Sequence, residues 1–431
     1  MTASKTRALL AALMLATSAF AVTAVHAQDD RQLGDSDGNR ASKPKAPAAP
    51  KPGAPPTLSS AVAKSLTATQ TNLVANKLPE ALAAAKDALA NAKTDYEKMK
   101  ANQFLTSILV KQGDNAGAAA AAIAAAETPP DAIPAEDKAM VYTNGSILAL
   151  NTGHADKALV YARQLLVINP NDARAQEIEG KALYTTGDPS APAFFKKQVD
   201  STIAAGKAPS RDSLQMLMLA QIKLKDEDGA EKTMVQQVLY YNDPADWKQI
   251  IDVAITTRGV RDIDAVMLGR LLYVSGATVS KDDAQLIGET TQKLALYGDA
   301  VASQAKGATL QLDQARVASD RNSLPQQITM GASQNGLFNV KLAEALYGYG
   351  MFAQAETAAR VAQAKGGADA SEIVMTLGMS QAMQGKYADA IATFATVQGG
   401  SPATPRVAEL WTIYAKNKGG LVPGMAAAAA K

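Results

Sequence analysis

Two stretches near the C-terminus constrain the fold most. Gly350-Met351-Phe352-Ala353-Gln354-Ala355 and Gly385-Lys386-Tyr387-Ala388-Asp389-Ala390 share one order: Gly, any residue, an aromatic, two residues, Ala. They lie about 35 residues apart, one helical-repeat length. Each comes after an apolar segment of helical period, Leu342 to Tyr349 and Leu377 to Gln384. Each leads into another, marked by Ala355/Ala359/Ala362 and Ala390/Phe394/Val397. Glycine just past a periodic segment ends a helix, and a short turn sends the next helix back antiparallel. A lone hairpin leaves its apolar face in water, so a chain punctuated this way folds by stacking hairpin on hairpin.

The punctuation extends through the N-terminal half. Turn landmarks fall at Asn76, Gly113, Gly153, Gly187 and Lys225. Their spacing of roughly 34 to 40 residues is that of repeats carrying short insertions. Ala81, Ala118, Ala158 and Ala230 come five positions after four of them. At Gly187 the sequence Asp188-Pro189-Ser190-Ala191-Pro192 puts proline where alanine is wanted, which predicts a longer loop or a displaced helix around Phe194-Phe195. Between 241 and 335 the pattern is not placed. The apolar spacing there stays helical, as in Trp247/Ile250/Ile251/Val253 and Ile263/Val266/Met267/Leu271. Apolar residues are 47% of the chain but aromatics only 5%, which suits thin layers of alanine-rich helices better than a thick core.

This pattern resembles the tetratricopeptide repeat, a helix-turn-helix unit of about 34 residues. In the unit starting at Ser371, Gly378 falls at repeat position 8, Tyr387 at 17, Ala390 at 20, Phe394 at 24 and Pro402 at 32. The unit starting at Gly336 has Phe352, Ala355 and Ala362 in place, with Ala343 at position 8. The resemblance implies an all-α fold, a right-handed superhelical solenoid of antiparallel helix pairs. It also implies that the first helices of successive repeats line a groove for protein segments. Carried onto this chain, the groove positions are Arg174, Glu177, Lys181 and Tyr184, then Val340, Glu344 and Tyr347, then Glu372, Met375, Met379 and Met383.

Composition shifts divide the chain further. Residues 1–27 carry Lys5 and Arg7, an apolar run from Ala8 to Ala16, and Val25-His26-Ala27, the form of a signal peptide cleaved near Ala27. The run is short for a membrane span, and without cysteine there is no residue to lipidate. Residues 28–57, acidic and then rich in Pro, Ala and Lys, read as a disordered linker. Repeats are expected over 58–240, degenerate helical repeats over 241–335, clear repeats with a capping helix over 336–418, and a flexible tail over 419–431.

The chemistry available is narrow. Lys plus Arg number 43 against 41 for Asp plus Glu. Removing residues 1–27 takes two bases and no acid, so the remainder balances. That charge does not suit a nucleic-acid binder. With no cysteine and only His154 left, multi-His or thiolate metal sites and cysteine nucleophiles are excluded. His154 lies in a repeat turn, and no nucleophile elbow, dinucleotide loop or phosphate loop accompanies it. Asp226-Glu227-Asp228 and Lys281-Asp282-Asp283 lack calcium-loop spacing and read as helix caps. The stripe Met375/Met379/Met383 reads as core or an adaptable groove rather than a copper site. No catalytic residue, cofactor or metal is expected. The expected function is a non-enzymatic scaffold of the bacterial cell envelope, periplasmic or secreted, binding other proteins. A glycan-acting or polysaccharide-assembly accessory of the envelope and a secreted substrate-binding protein are the alternatives.

Overall fold

The computed structural model describes residues 56–422, and every regular element among them is an α-helix. Packing divides the chain into two units, one running to Ala191 and the other from Pro192. The first contains α1 (Ser60–Val74), α2 (Leu78–Asn91), α3 (Asp95–Gln112), α4 (Asn115–Ala126), α5 (Ala135–Asn151), α6 (Ala155–Ile168) and α7 (Ala173–Thr186). The second opens with α8 (Ala191–Ala204), α9 (Arg211–Lys223), α10 (Glu227–Tyr241), α11 (Pro244–Thr256), α12 (Asp262–Ser275) and α13 (Lys281–Lys293). It continues with α14 (Tyr297–Ala305), α15 (Gln314–Gly331), α16 (Gly336–Gly348), α17 (Phe352–Lys365), α18 (Ala370–Met383), α19 (Tyr387–Phe394) and α20 (Thr404–Lys418). The expected signal segment, nearly all of the expected linker and most of the tail lie outside the described residues.

The repeat punctuation has one physical form. Asn76, Gly113, Gly153, Gly187, Lys225, Gly350 and Gly385 all adopt left-handed backbone, with φ between 54° and 85°. After each, the next N–H reaches back to the carbonyl five positions earlier: Asp114 to Leu109 at 2.9 Å, Met351 to Leu346 at 2.9 Å, Lys386 to Gln381 at 3.0 Å. This turn satisfies the last carbonyls of the first helix and reverses the chain. Close helix approach comes from small residues. A side chain at Gly378 would put its Cβ 2.5 Å from the Phe394 ring, so α18 and α19 meet at that ring only because position 378 is glycine.

The same device recurs at Ala295, beyond the reach of the sequence pattern, with φ 59°. Gly259 is also left-handed, with φ 92°, but it follows an extended Thr257 and the Val260 N–H bonds the Thr257 carbonyl at 3.4 Å, so it is a different turn. After Ala295, the Leu296 N–H bonds the Thr291 carbonyl at 2.9 Å. Thus Ala295-Leu296-Tyr297-Gly298-Asp299-Ala300 is the repeat turn with alanine in the glycine position. The next turn comes only at Gly350, well past one repeat length, because α15 is an insertion. Gly298 at the start of α14 lies directly on the Gly348 and Tyr349 backbone at the end of α16.

Other expectations fare unevenly. The division by packing falls at Ala191/Pro192, whereas the repeat pattern becomes unplaced from 241. The connection from α7 to α8 is four residues against three from α5 to α6, a slightly longer loop as expected, and Pro192 sits in the first turn of α8, where its missing N–H costs nothing. The acidic clusters do cap helices: Asp226 accepts the Gly229 N–H at 2.9 Å, and Ser280 and Asp283 form a reciprocal capping box.

The second unit closes upon its own C-terminus. Trp411 of α20 is fully buried and donates its indole N–H to the Met267 carbonyl of α12 at 3.0 Å. Asn417 donates to the Val238 carbonyl of α10 at 3.0 Å. Helix α12 is apolar and buried almost all round, from Ile263 to Leu272, as a central core helix must be.

Candidate interaction surfaces

The expected groove positions meet two different fates. In the unit from Pro192, Val340, Glu344, Tyr347, Met375 and Met379 are all buried, with Met375 and Met379 at 0% exposure. These two methionines share one core with Trp411 and Tyr414 of α20 and with Met267 of α12. The face that sequence reading assigns to a partner is covered by the chain itself. Met383 is half-buried against the same core. Glu372 accepts from Lys341 at 3.0 Å and lies 3.9 Å from Arg261.

Buried charge holds this interior in register. Arg270 donates to both oxygens of Asp299, at 2.9 and 2.7 Å, and to the Glu344 carbonyl at 3.0 Å. Its guanidinium lies 4.3 Å from the centre of the Tyr347 ring. Asp264, at 0% exposure, accepts from Ser401 at 2.7 Å and Thr404 at 3.1 Å ahead of α20, and pairs with Arg261 at 3.0 Å. Burial pushes the Glu344 carboxyl up, against the pull of Lys341. These are buried structural pairs.

In the unit ending at Ala191 the corresponding first helices are open. Arg174 and Glu177 on α7 are exposed; Lys181 and Tyr184 are half-exposed, and Lys181 pairs with Glu177. The same repeat positions one and two units earlier hold residues that sequence reading does not single out. Met140 on α5 is 49% exposed and Val110 on α3 is 45% exposed, with Gln103, Thr143 and Ile147 partly exposed between them. Lys100 pairs with Asp137 at 2.7 Å across α3 and α5. The signal for these positions is present in the sequence: the groove register only needs counting back from Gly113 and Gly153. The row joins exposed apolar side chains to amide, hydroxyl and charged groups. Such a surface gives a peptide both area to bury and hydrogen-bond partners.

Other singled-out residues have local roles. His154 is exposed in the turn before α6, its Nδ1 3.1 Å from the Thr152 hydroxyl. Among the described residues no three His, Asp or Glu side chains gather as a metal ion requires, and no helix is long and apolar enough to cross a membrane.

The fold is therefore an all-α helical solenoid of the tetratricopeptide type, built in each unit from stacked helix pairs. Residues 340–405 match the tetratricopeptide repeat family, a kind of repeat that generally mediates protein–protein interaction. Among solved structures, the chain is similar to a tetratricopeptide repeat protein from Parabacteroides merdae ATCC 43184. Identity is 13% and the TM-score 0.30, over 61% of this chain and 97% of that one. Comparison with curated proteins gives no match.

Proposed function

We propose that this protein is a non-enzymatic interaction scaffold of the bacterial cell envelope. It holds an extended or helical segment of another protein on the first-helix row α3, α5 and α7. The observation that carries this reading is the contrast between the rows. Met140, Val110, Arg174 and Glu177 are open to solvent, whereas Met375 and Met379 on α18 are buried in one core with Trp411 and Tyr414 of α20. Exposed apolar side chains next to charged ones suit a protein partner better than a small metabolite. The apolar N-terminal run with small residues at 25–27 supports export, with cleavage near Ala27.

Crosslinking in intact cells followed by purification tests the reading. A reproducible envelope protein should be recovered with the wild-type chain and lost from a Met140→Glu/Arg174→Glu variant of unchanged thermal stability. Recovery of the same proteins by both chains, or of none, rejects this surface.

A further inference from the structure

We infer that the cleft between α13 and α14 recognises an extended, leucine-anchored peptide segment of a partner protein, and that the chain's own residues 308–312 hold that place. These five residues link α14 and α15 outside any helix. Their side chains alternate: Ala308 and Leu310 are buried, Thr309 and Gln311 exposed, Leu312 half-buried. This is the period of a strand laid on a surface.

The segment is gripped by its backbone. Gln285 of α13 accepts the Thr309 N–H at 2.7 Å. Gln304 of α14 donates to the Leu310 carbonyl at 3.0 Å. Gln292 of α13 donates to the Gln311 carbonyl at 3.1 Å. Three side-chain amides from two helices thus read consecutive main-chain groups, which any extended sequence supplies. The selective contact is Leu310. It packs with Ala284, Ala300 and Ala308 in a recess kept open by Gly288, where a Cβ would lie 2.7 Å from the leucine Cδ1. Backbone clamps with a pocket for one alternate side chain are how extended peptides are recognised.

Helix α15, into which the resident segment runs, retains it only weakly. It is an insertion between repeats, and of its 18 residues only Leu324 and Gly331 are buried. Pro325 interrupts its hydrogen bonding from within. Gly307, with φ 108°, marks the point where the segment leaves α14. Elements with so few buried contacts open first. Because the resident segment is tethered, a free peptide competes against an effective concentration of about millimolar, so the site is masked until the strap lifts.

The test uses the full chain and a labelled synthetic peptide with the sequence of residues 307–313. A Leu310→Ala chain should bind it at least tenfold more tightly than wild type. A peptide with alanine at the anchor should bind neither chain. Adding Gly288→Ala to Leu310→Ala should abolish binding by filling the recess, while Met140→Glu, on the surface proposed above, should change nothing. Should Leu310→Ala not fold, millimolar peptide added to wild type should speed hydrogen exchange across 308–331 and leave α13 and α14 protected. A folded Leu310→Ala chain that does not bind, or unchanged exchange in wild type, overturns the inference. A dimer that forms through the released strap and resists the peptide also overturns it, by making a second copy the occupant.

Discussion

Ala295 holds a left-handed backbone that its seven sequence-legible counterparts mostly leave to glycine or asparagine. An L-residue with a Cβ is strained there by about 1–2 kcal/mol. Glycine removes that strain but adds freedom to the unfolded chain, which offsets part of the gain. Ala295→Gly should therefore raise stability by about 0.5–1 kcal/mol, seen as a higher denaturation midpoint at unchanged slope. An unchanged or lower midpoint would show the turn to be unstrained. This residue also explains one failure of sequence reading: glycine marks the pattern in the sequence, while φ defines the turn. Glu97 is a second single-residue device. Burial alone would push its carboxyl up, but hydrogen bonds from the N–H groups of Ser59, Lys93 and Thr94 outweigh that and hold it at about 2. Its folded value lies below the ordinary 4.5, so its contribution is complete above about pH 4.5 and is lost as pH falls toward 2. Glu97→Gln should cost about 1–3 kcal/mol near neutral pH. The gap to wild type should close through that acid window, as pH-dependent unfolding would register.

At the scale of elements, α12 shows why the middle of the chain resists reading. Its apolar spacing at Ile263, Val266, Met267 and Leu271 reads as helical, but a helix buried on nearly all sides has no polar face to place it in the repeat register. At its start, Asp264 is a buried carboxylate that receives Ser401 and Thr404 from the far end of the unit. Its Arg270 cannot be told from a surface arginine in sequence. Only packing brings Asp299 from α14 and the Glu344 carbonyl from α16 to it. Removing one partner of a buried pair strands the other charge, so Arg270→Met should destabilise this unit by about 3–5 kcal/mol. Adding Asp299→Leu should restore much of that. A double variant no more stable than Arg270→Met would show that the arginine acts through its stacking on Tyr347 instead. Helix α15 is illegible for the opposite reason: it is an insertion, and shifts the next turn out of register.

At the scale of the whole molecule, α20 closes the Met375/Met379 face of the unit from Pro192. Both tryptophans, Trp247 and Trp411, lie in the unit from Pro192 and are fully buried. Tryptophan emission therefore tracks that unit alone, while far-UV circular dichroism tracks both. Trp411→Ala should cost about 3–5 kcal/mol. The emission of Trp247 should then change at lower denaturant, and a second transition from the unit ending at Ala191 should persist in the dichroism. A single transition that moves as one would mean the units unfold together. The turns, the helix pairs and the small residues between them are legible in sequence, because each depends on residues within one repeat. The availability of the methionine-rich face on α18 is not. Met375 and Met140 are the same residue type on the same kind of helix. Met375 is fully buried in a core that includes Trp411, farther along the chain, whereas Met140 stays 49% exposed. Local chemistry sets which surfaces are able to bind; only the tertiary path of the chain decides which of them it covers.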